Sequence, residues 1–563
     1  MLNRFKSALI NAVGGSELGL QYPADSDNEP VTDHINANII AEVENKPYSR
    51  PSFLGLTTEE TEVSADHRVR PIIVPRDLSR LPWCAGYAEC INAGKSRWNE
   101  DQTSATRGDL KLTDLNITLP YIMFSMFDGH AGYQVALTAR LHLHRLILGR
   151  LIAIPGSMLL NEDEDELIKG RDLIIGAIEL AYRQMDQMVE TQAQGGGGGC
   201  TAITILFLNG RLYASGAGDS RVVLVLGDSQ CALTRDHTPD SESNRVRALG
   251  FLRGNELLKG QFTPLEFKKR PSQKELGSMV LYREPYMTGW AYKVLTHMDL
   301  KLPLISGHGK RSRVMGTIGV TRGFGDHGLK AANTGVNIKP FLSSQPEVQF
   351  LDLDSCNLTE RDCIIVATDG LWDVVSDKTA ANILRKTLAP DQPSLEYRLT
   401  MGAQELVQAA RGTLVGRSWV GKSENLEGGD ENFSPMASVD DISVLVIPLY
   451  PYLCEHKQWL KTTQQERRYS LDSLHISVNN SVQVLPKLVT DPSINTDGQT
   501  FPNCAGNCLR YLEAPSGLPA FMAIPCLSHR FLLVSVMSSG RMDDENFVGG
   551  SERREVLIKS LGV

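Results

Sequence analysis

Apolar residues along this chain recur with two different periods. Ala202 to Leu208 is almost unbroken apolar sequence, followed by Asn209-Gly210 and then Arg211-Leu212-Tyr213-Ala214. Asn-Gly accepts the positive φ angles of a two-residue turn, so this stretch predicts a β-hairpin. A further strand is expected from Arg221 to Leu226. Elsewhere the spacing lengthens to three and four residues, from Ala131 to Leu148 and again at Leu173, Ile174, Ala177, Ile178, Ala181, Met185 and Met188. That period predicts two long helices. Antiparallel hairpins separated by long helices predict an α+β sandwich rather than a doubly wound parallel sheet.

The ends of the chain read differently. Leu2, Phe5, Leu9 and Val13 fall at helical spacing with Arg4 and Lys6 on the turn between, and Gly14-Gly15 stops the pattern. Two readings stand for residues 1–13: a helix docked on its own domain, or a weak, reversible contact with a membrane surface. Ser16 to Pro47 is polar and acidic and reads as a linker. After Pro448, polar stretches such as QQERRYS and DPSINTDGQT interrupt weak apolar segments. The expected partition is therefore an N-terminal segment over 1–50, a folded domain over 51–449 and a poorly ordered extension over 450–563. No uninterrupted apolar run reaches the ~18 residues of a spanning helix, and Ala520 to Met537 is broken by Pro525, His529 and Arg530.

Composition narrows the function classes. The 563 residues are 42% hydrophobic and 22% charged, which suits a folded soluble protein. A net charge of -9 argues against a dedicated nucleic-acid binder, whose phosphate contacts need a basic face. Ten cysteines without dense pairing, and no secretory signal at the N-terminus, point to a reducing, cytoplasmic setting. Cys504, Cys508, Cys526 and His529 offer four zinc-type ligands, but at an unusual spacing that free cysteines explain as well.

Candidate chemistry sits where strand-like runs end. Met126-Phe127-Asp128-Gly129-His130 closes an apolar strand with a carboxylate for a hard cation, a glycine that allows close backbone approach, and a proton-transferring imidazole. By itself Asp-Gly-His also makes an ordinary turn. The arrangement recurs, however: Cys363 to Ala367 delivers Asp369, Asp440-Asp441 precedes Ile442 to Ile447, and Asn99-Glu100-Asp101 follows Tyr87 to Ile91. Carboxylates gathered at the ends of one sheet repel each other unless cations intervene.

Taken in order, EDQ at Glu100, DGHAG at Asp128, GGCTA at Gly198, AGDSR at Ala217, GVTRGFGD at Gly319, ATDGLWDVV at Ala367 and DDISVLV at Asp440 resemble the metal-dependent protein phosphatases of type 2C, over residues 51–449. The long segment from Gly250 to Met315, with MTGWAY at Met287, further resembles the H, J and M branch of that family. The resemblance implies a sandwich of two antiparallel sheets flanked by helices, with a metal centre at one end. It also implies hydrolysis of phosphoserine and phosphothreonine in proteins, using two Mg²⁺ or Mn²⁺ ions and a looser third position. Cations ~3.5–4 Å apart would make a bridging water nucleophilic.

Residue by residue, the resemblance has Asp128 bridge both metals, the Gly129 carbonyl join the first, and Asp369 and Asp440 hold the second. Glu100 and Asp101 would orient waters, Asp219 with Asp373 would form the third position, and His130 would be the general acid. One departure stands out. Many family members place a phosphate-gripping arginine four residues before the glutamate, where this chain has Ser96, so Arg97 is the nearest substitute. The enlarged flap at 250–315 is expected to select substrates, and its Lys268-Lys269-Arg270 cluster is either an acidic-surface contact or a solvated face. The branch resemblance extends to small GTPases at internal membranes as substrates. The rival reading is a catalytically silent scaffold that uses the same fold to bind phosphoproteins.

Overall fold

The structure, a computed structural model, describes residues 47–163, 166–192, 197–389, 392–421 and 436–463. The amphipathic segment 1–13, most of the acidic linker and the zinc-type residues Cys504, Cys508, Cys526 and His529 lie outside the described residues.

Among the described residues, ten strands and four helices form the two large sheets and the layers that cover them. In chain order they are β1 (Gly86–Cys90), β2 (Gln102–Leu112), β3 (Ile117–Phe127), α1 (Gln134–Ile152), α2 (Gly170–Gln192), β4 (Ala202–Leu208), β5 (Arg211–Ala217), β6 (Arg221–Leu226), β7 (Ser229–Ala232), β8 (Glu347–Asp352), β9 (Cys363–Ala367), α3 (Asp377–Leu388), α4 (Leu395–Arg411) and β10 (Ile442–Pro448). One five-stranded sheet runs β1-β10-β9-β6-β7 and the other β8-β5-β4-β3-β2. Every neighbouring pair in both sheets is antiparallel.

The predicted hairpin forms in the predicted register, with Leu208 opposite Arg211 and Asn209 and Gly210 at φ 49° and 71°. Strand alternation then sorts side chains to two faces. Ile203, Ile205 and Phe207 point between the sheets with Phe124, Met126, Val222, Val366 and Leu445. Ala202, Leu206 and Leu208 face the other way, against Leu143, Ile147, Ile178 and Tyr182 of α1 and α2. On the far side, Ile365, Val444 and Val446 meet Leu384 of α3 and Leu399, Leu406 and Val407 of α4. The result is helix layer, sheet, sheet, helix layer, as the sandwich reading requires. Because central strands are covered on both faces, they read in sequence as continuous apolar runs instead of alternating ones.

Two boundaries differ from expectation. The extension does not begin at residue 450. Residues 450–463 are helical, with Tyr452 and Leu453 buried in the inter-sheet core and the Trp459 indole donating to the Thr118 carbonyl at 2.8 Å. Its apolar residues are sparse, but they fall on the one face that packs. The flap also has wider roots than 250–315. Val246, Leu258, Phe262, Leu304, Val314, Ile338 and Phe341 form a separate small core, so residues before and after the predicted limits complete it. A three-stranded sheet of Glu266–Phe267, Met279–Arg283 and Ala291–Val294 projects from it.

Candidate active site

The loops at one end of the sandwich converge on a cavity of about 540 Å³. Glu100 precedes β2, Asp128 and Gly129 follow β3, Asp219 joins β5 to β6, Asp369 follows β9, and Asp440 and Asp441 precede β10. All of these line the cavity together with His130 and Asp373, and the flap contributes Lys310, Arg313 and Val320. Segments more than three hundred residues apart thus meet because antiparallel strands deliver their ends to one edge.

Close backbone contacts hold the carboxylates in place. A Cβ on Gly129 would stand 2.6 Å from the Glu100 carbonyl oxygen, and one on Gly370 would stand 1.9 Å from that of Asp441, so neither position admits a side chain. The Thr201 amide donates to the Asp128 carbonyl at 2.9 Å. Asp441 accepts from the amides of Asn92 and Glu100 at 2.7 and 3.0 Å, and thereby ties β1 and β2 to β10. From beneath, the fully buried Arg70 donates to the carbonyls of Ile91, Ser438 and Asp440 at 2.6, 2.7 and 2.8 Å. Arg50 donates similarly to the Asp101 carbonyl at 2.6 Å while paired with Glu89.

The electrostatics of the cluster are unbalanced. Burial raises the Asp128 carboxyl well above the usual range, and Asp369, Asp101, Asp440 and Asp219 push it further. Asp369 is pushed up to about 7 by burial and then by Asp440 and Asp373, and it shares a hydrogen bond with Asp128. Asp441 also rises to about 7, chiefly through burial. Asp219 and Asp101 rise for the same first reason. Asp101 lies fully buried behind the cavity, with Oδ2 taking the Thr368 hydroxyl at 2.9 Å and Oδ1 left without a partner. Oxygen-only donors, mutual repulsion and an orphaned buried carboxylate oxygen fit hard divalent cations.

A second carboxylate group has metal-like spacing but different surroundings. His237, Glu242 and Glu347 bring ligand-type atoms within 4.8 Å of one another. Arg322 and Arg245 both donate to Glu242, at 2.6 and 2.7 Å, and Arg235 pairs with Glu347 at 2.5 Å. Burial opposes ionisation there, yet the guanidinium groups hold Glu242 down to about 2. Its charge is already met, so a metal has no place in it.

His130 has a partner that the sequence does not reveal. Its Nε2 lies 2.8 Å from Oδ2 of the buried Asp326, the last residue of GVTRGFGD. Burial opposes the imidazolium, but the Asp326 hydrogen bond and charge outweigh it and raise the His130 pKa. The only signal in sequence is an aspartate ending a glycine-rich motif, with nothing to say which group it meets. Glu100 spends Oε1 on the Gly132 amide at 3.0 Å, which fixes the loop after His130.

Arg97, the sequence-based substitute for the phosphate-gripping arginine, does not enter the cavity. It is exposed and stacks on Trp98, with its guanidinium 5.0 Å from the ring centroid. Lys95 enters instead, pairing with Asp440 and facing Asp369 and Asp128. The turn that follows Asn92 decides this, since the Asn92 side chain accepts from the amides of Gly94 and Lys95 at 2.9 and 2.7 Å. Asp373 is brought to the rim, where Lys310 of the flap pairs with it at 2.7 Å.

Comparison with known proteins agrees with this geometry. The family described as Protein phosphatase 2C matches residues 99–263 and 304–414, and the break between them coincides with the projecting sheet of the flap. Protein phosphatase 1H of Rattus norvegicus is 38% identical over 526 residues, covering 80% of this chain and 99% of the relative. Protein phosphatase 1H of Homo sapiens is 37% identical over 525 residues, with the same coverage. Protein phosphatase 1J of Mus musculus is 39% identical over 445 residues, covering 71% of this chain and 86% of the relative. With its strand-end aspartates, its αββα layers and relatives matched along nearly their whole length, the chain belongs to the protein phosphatase 2C family of metal-dependent serine/threonine protein phosphatases.

Proposed function

We propose that this chain releases phosphate from phosphoserine and phosphothreonine in proteins with two Mg²⁺ or Mn²⁺ ions, held by Asp128, the Gly129 carbonyl, Asp369 and Asp440. The observation that carries the ligand assignment is the convergence of the half-buried Asp128, Asp369 and Asp440 on one cavity, where Asp369 and Asp440 push the Asp128 carboxyl up. When bound, divalent cations supply positive charge that ionises water near neutral pH and offsets charge on phosphoryl oxygens. Glu100 and Asp101 hold the loop and the floor around the ligands. Asp219 and Asp373 form the looser third position, which Lys310 must leave before a cation takes it.

The remaining steps belong to side chains. Lys95 is freed from Asp440 as the cluster is neutralised, and its ammonium grips the substrate phosphate in the role that Arg97 is too remote to fill. His130, kept protonated by Asp326, gives its proton to the departing serine or threonine oxygen. That donor, together with the complete set of aspartates, favours an active enzyme over a silent scaffold.

The test is release of phosphate from a phosphothreonine peptide by the purified chain with Mn²⁺ or Mg²⁺, beside Mn²⁺ binding measured by calorimetry. Asp128→Asn and Asp369→Asn should each lose both. A folded, metal-loaded chain inert on phosphopeptides and phosphoproteins alike would leave the scaffold. Small GTPases as substrates at internal membranes, a cytoplasmic setting and membrane contact through residues 1–13 rest on sequence alone. Flotation with liposomes, with and without residues 1–13, tests the contact, and equal binding would remove it.

A further inference from the structure

Beside the catalytic cavity lies a larger groove of about 920 Å³ that takes no part in the chemistry described above. The two spaces share Arg221, Asp236, Thr238 and Lys310 in their walls, so they are neighbours. The sides of the groove are the outermost strands of the two sheets: Ala232 ends β7 and Glu347, Gln349 and Phe350 belong to β8. It is the side mouth of the sandwich, where both sheets stop.

The two edges are not equivalent. Arg385 of α3 donates to the Gly227 and Ser229 carbonyls at 2.6 and 2.8 Å, which covers the start of the β7 edge. β8 pairs with β5 through all six residues on one side, and among the described residues no strand pairs with its other side. Gln349 and Phe350 are exposed there. An open strand edge carries unmet amide and carbonyl groups, and natural sheets usually blunt it with charge, proline or a covering segment. Pro346 and the charged Glu347 and Asp352 guard its two ends, but Val348 to Leu351 between them carry neither charge nor proline.

We infer that the β8 edge is a substrate subsite: a segment of the phosphoprotein on one side of the phosphorylated residue lies extended in this groove and pairs its backbone with β8 as an added strand. The inference rests on the phosphatase reading, because the occupant is identified by the groove's place beside the catalytic cavity. A polypeptide whose phosphorylated side chain enters that cavity must leave it along the surface, and this groove adjoins it. Backbone pairing would give affinity without demanding a particular sequence, while Arg235, Asp240 and Lys310 in the walls would favour polar or charged over apolar side chains opposite them. A six-residue edge corresponds to about six residues of substrate, of which only alternate ones exchange hydrogen bonds with it.

The experiment uses the full chain with Mn²⁺ and one phosphothreonine peptide carrying ten residues on each side, truncated in turn at either flank. Removing one flank should lower kcat/KM on the order of tenfold, mainly through KM, as expected for losing a few net backbone hydrogen bonds, while removing the other costs little. Phe350→Pro, which deletes an amide that the register turns away from β5, and Ala232→Trp, which narrows the groove, should reduce the ratio of kcat/KM for the long over the truncated peptide by a similar factor. Two variants are needed because either alone can perturb folding. Equal kcat/KM for all three peptides, or an unchanged ratio in both variants, would overturn the subsite. Turnover of p-nitrophenyl phosphate in the same preparations separates the two failures. If it persists while the ratio stays constant, only the groove assignment falls, and if nothing is turned over, the phosphatase reading and the subsite fall together.

Discussion

Two clusters of carboxylates lie in one domain, and their contrast explains where the chemistry is. At the mouth of the sandwich, Glu242 and Glu347 sit among Arg235, Arg245 and Arg322, and the balance holds Glu242 at about 2. At the end of the sandwich, Lys95 on Asp440 and Lys310 on Asp373 meet only part of the charge of Asp128, Asp219 and Asp369, and Asp369 still rises to about 7. Proximity of ligand-type atoms marks the first cluster as well as the second. What separates them is how fully the protein has supplied the counter-charge itself, and the cluster that its own cations leave in excess is the one that needs cations from solution.

The largest effect that would break this contrast is on metal binding. Asp128→Asn should weaken Mn²⁺ binding and lower kcat on the order of 10³-fold or more, whereas Glu242→Gln should lower thermal stability and leave Mn²⁺ affinity within about twofold. Calorimetry on both variants decides it, and a Glu242 variant that loses metal would reverse the assignment.

Next in size is the proton donor. Asp326→Asn should reduce kcat for a phosphopeptide by about 10–100-fold. It should also move the alkaline limb of the pH profile to lower pH, because Asp326 is what raises the His130 pKa and activity requires the protonated ring. A variant with lower activity but an unshifted limb would reduce Asp326 to a packing role. Lys95→Ala should be milder, raising KM about tenfold for phosphopeptides, while Arg97→Ala should change KM less than about twofold. If the two exchange places in a kinetic assay, the phosphate grip lies with Arg97 after all.

The smallest effect concerns stability without metal. Asp369 and Asp441 bind their protons more tightly in the folded chain, each with a pKa of about 7. Their contribution in the chelated chain is present below about pH 4 and is lost as pH rises through about 7. Scanning calorimetry with EDTA should therefore show the melting temperature falling by a few degrees from pH 5.5 to 8, with Mn²⁺ abolishing the fall. Glu242 behaves in the opposite sense, since its pKa is depressed: its contribution is present above about 4.5 and is lost as pH falls toward about 2.

Much of the fold is legible in local sequence pattern. The Asn209-Gly210 turn, the strand from Arg221 to Leu226 and the run from Cys363 to Ala367 lie where that pattern puts them. The helix predicted from Ala131 starts three residues later, because Ala131 and Gly132 take φ of 55° and 121° to carry the loop past Glu100. The helix at 450–463 escapes a reading by pattern because its few apolar residues have meaning only against a core made elsewhere. The choice of Lys95 over Arg97 is beyond sequence for a related reason: nearby residues in a tight turn point in different directions, and Asn92 sets which one faces the cavity.

By itself, then, the sequence determined the strand-and-helix order, the acidic residues at strand ends and the family to which they belong, since each depends on spacing along the chain. Tertiary structure decided which charges meet. Asp326 reaches His130 across 196 residues, Asp441 reaches Asn92 across 349, and Arg70 reaches Asp440 across 370. Such pairings follow from the stacking of two sheets, and an interaction set by distance in space leaves no periodic trace in a linear chain.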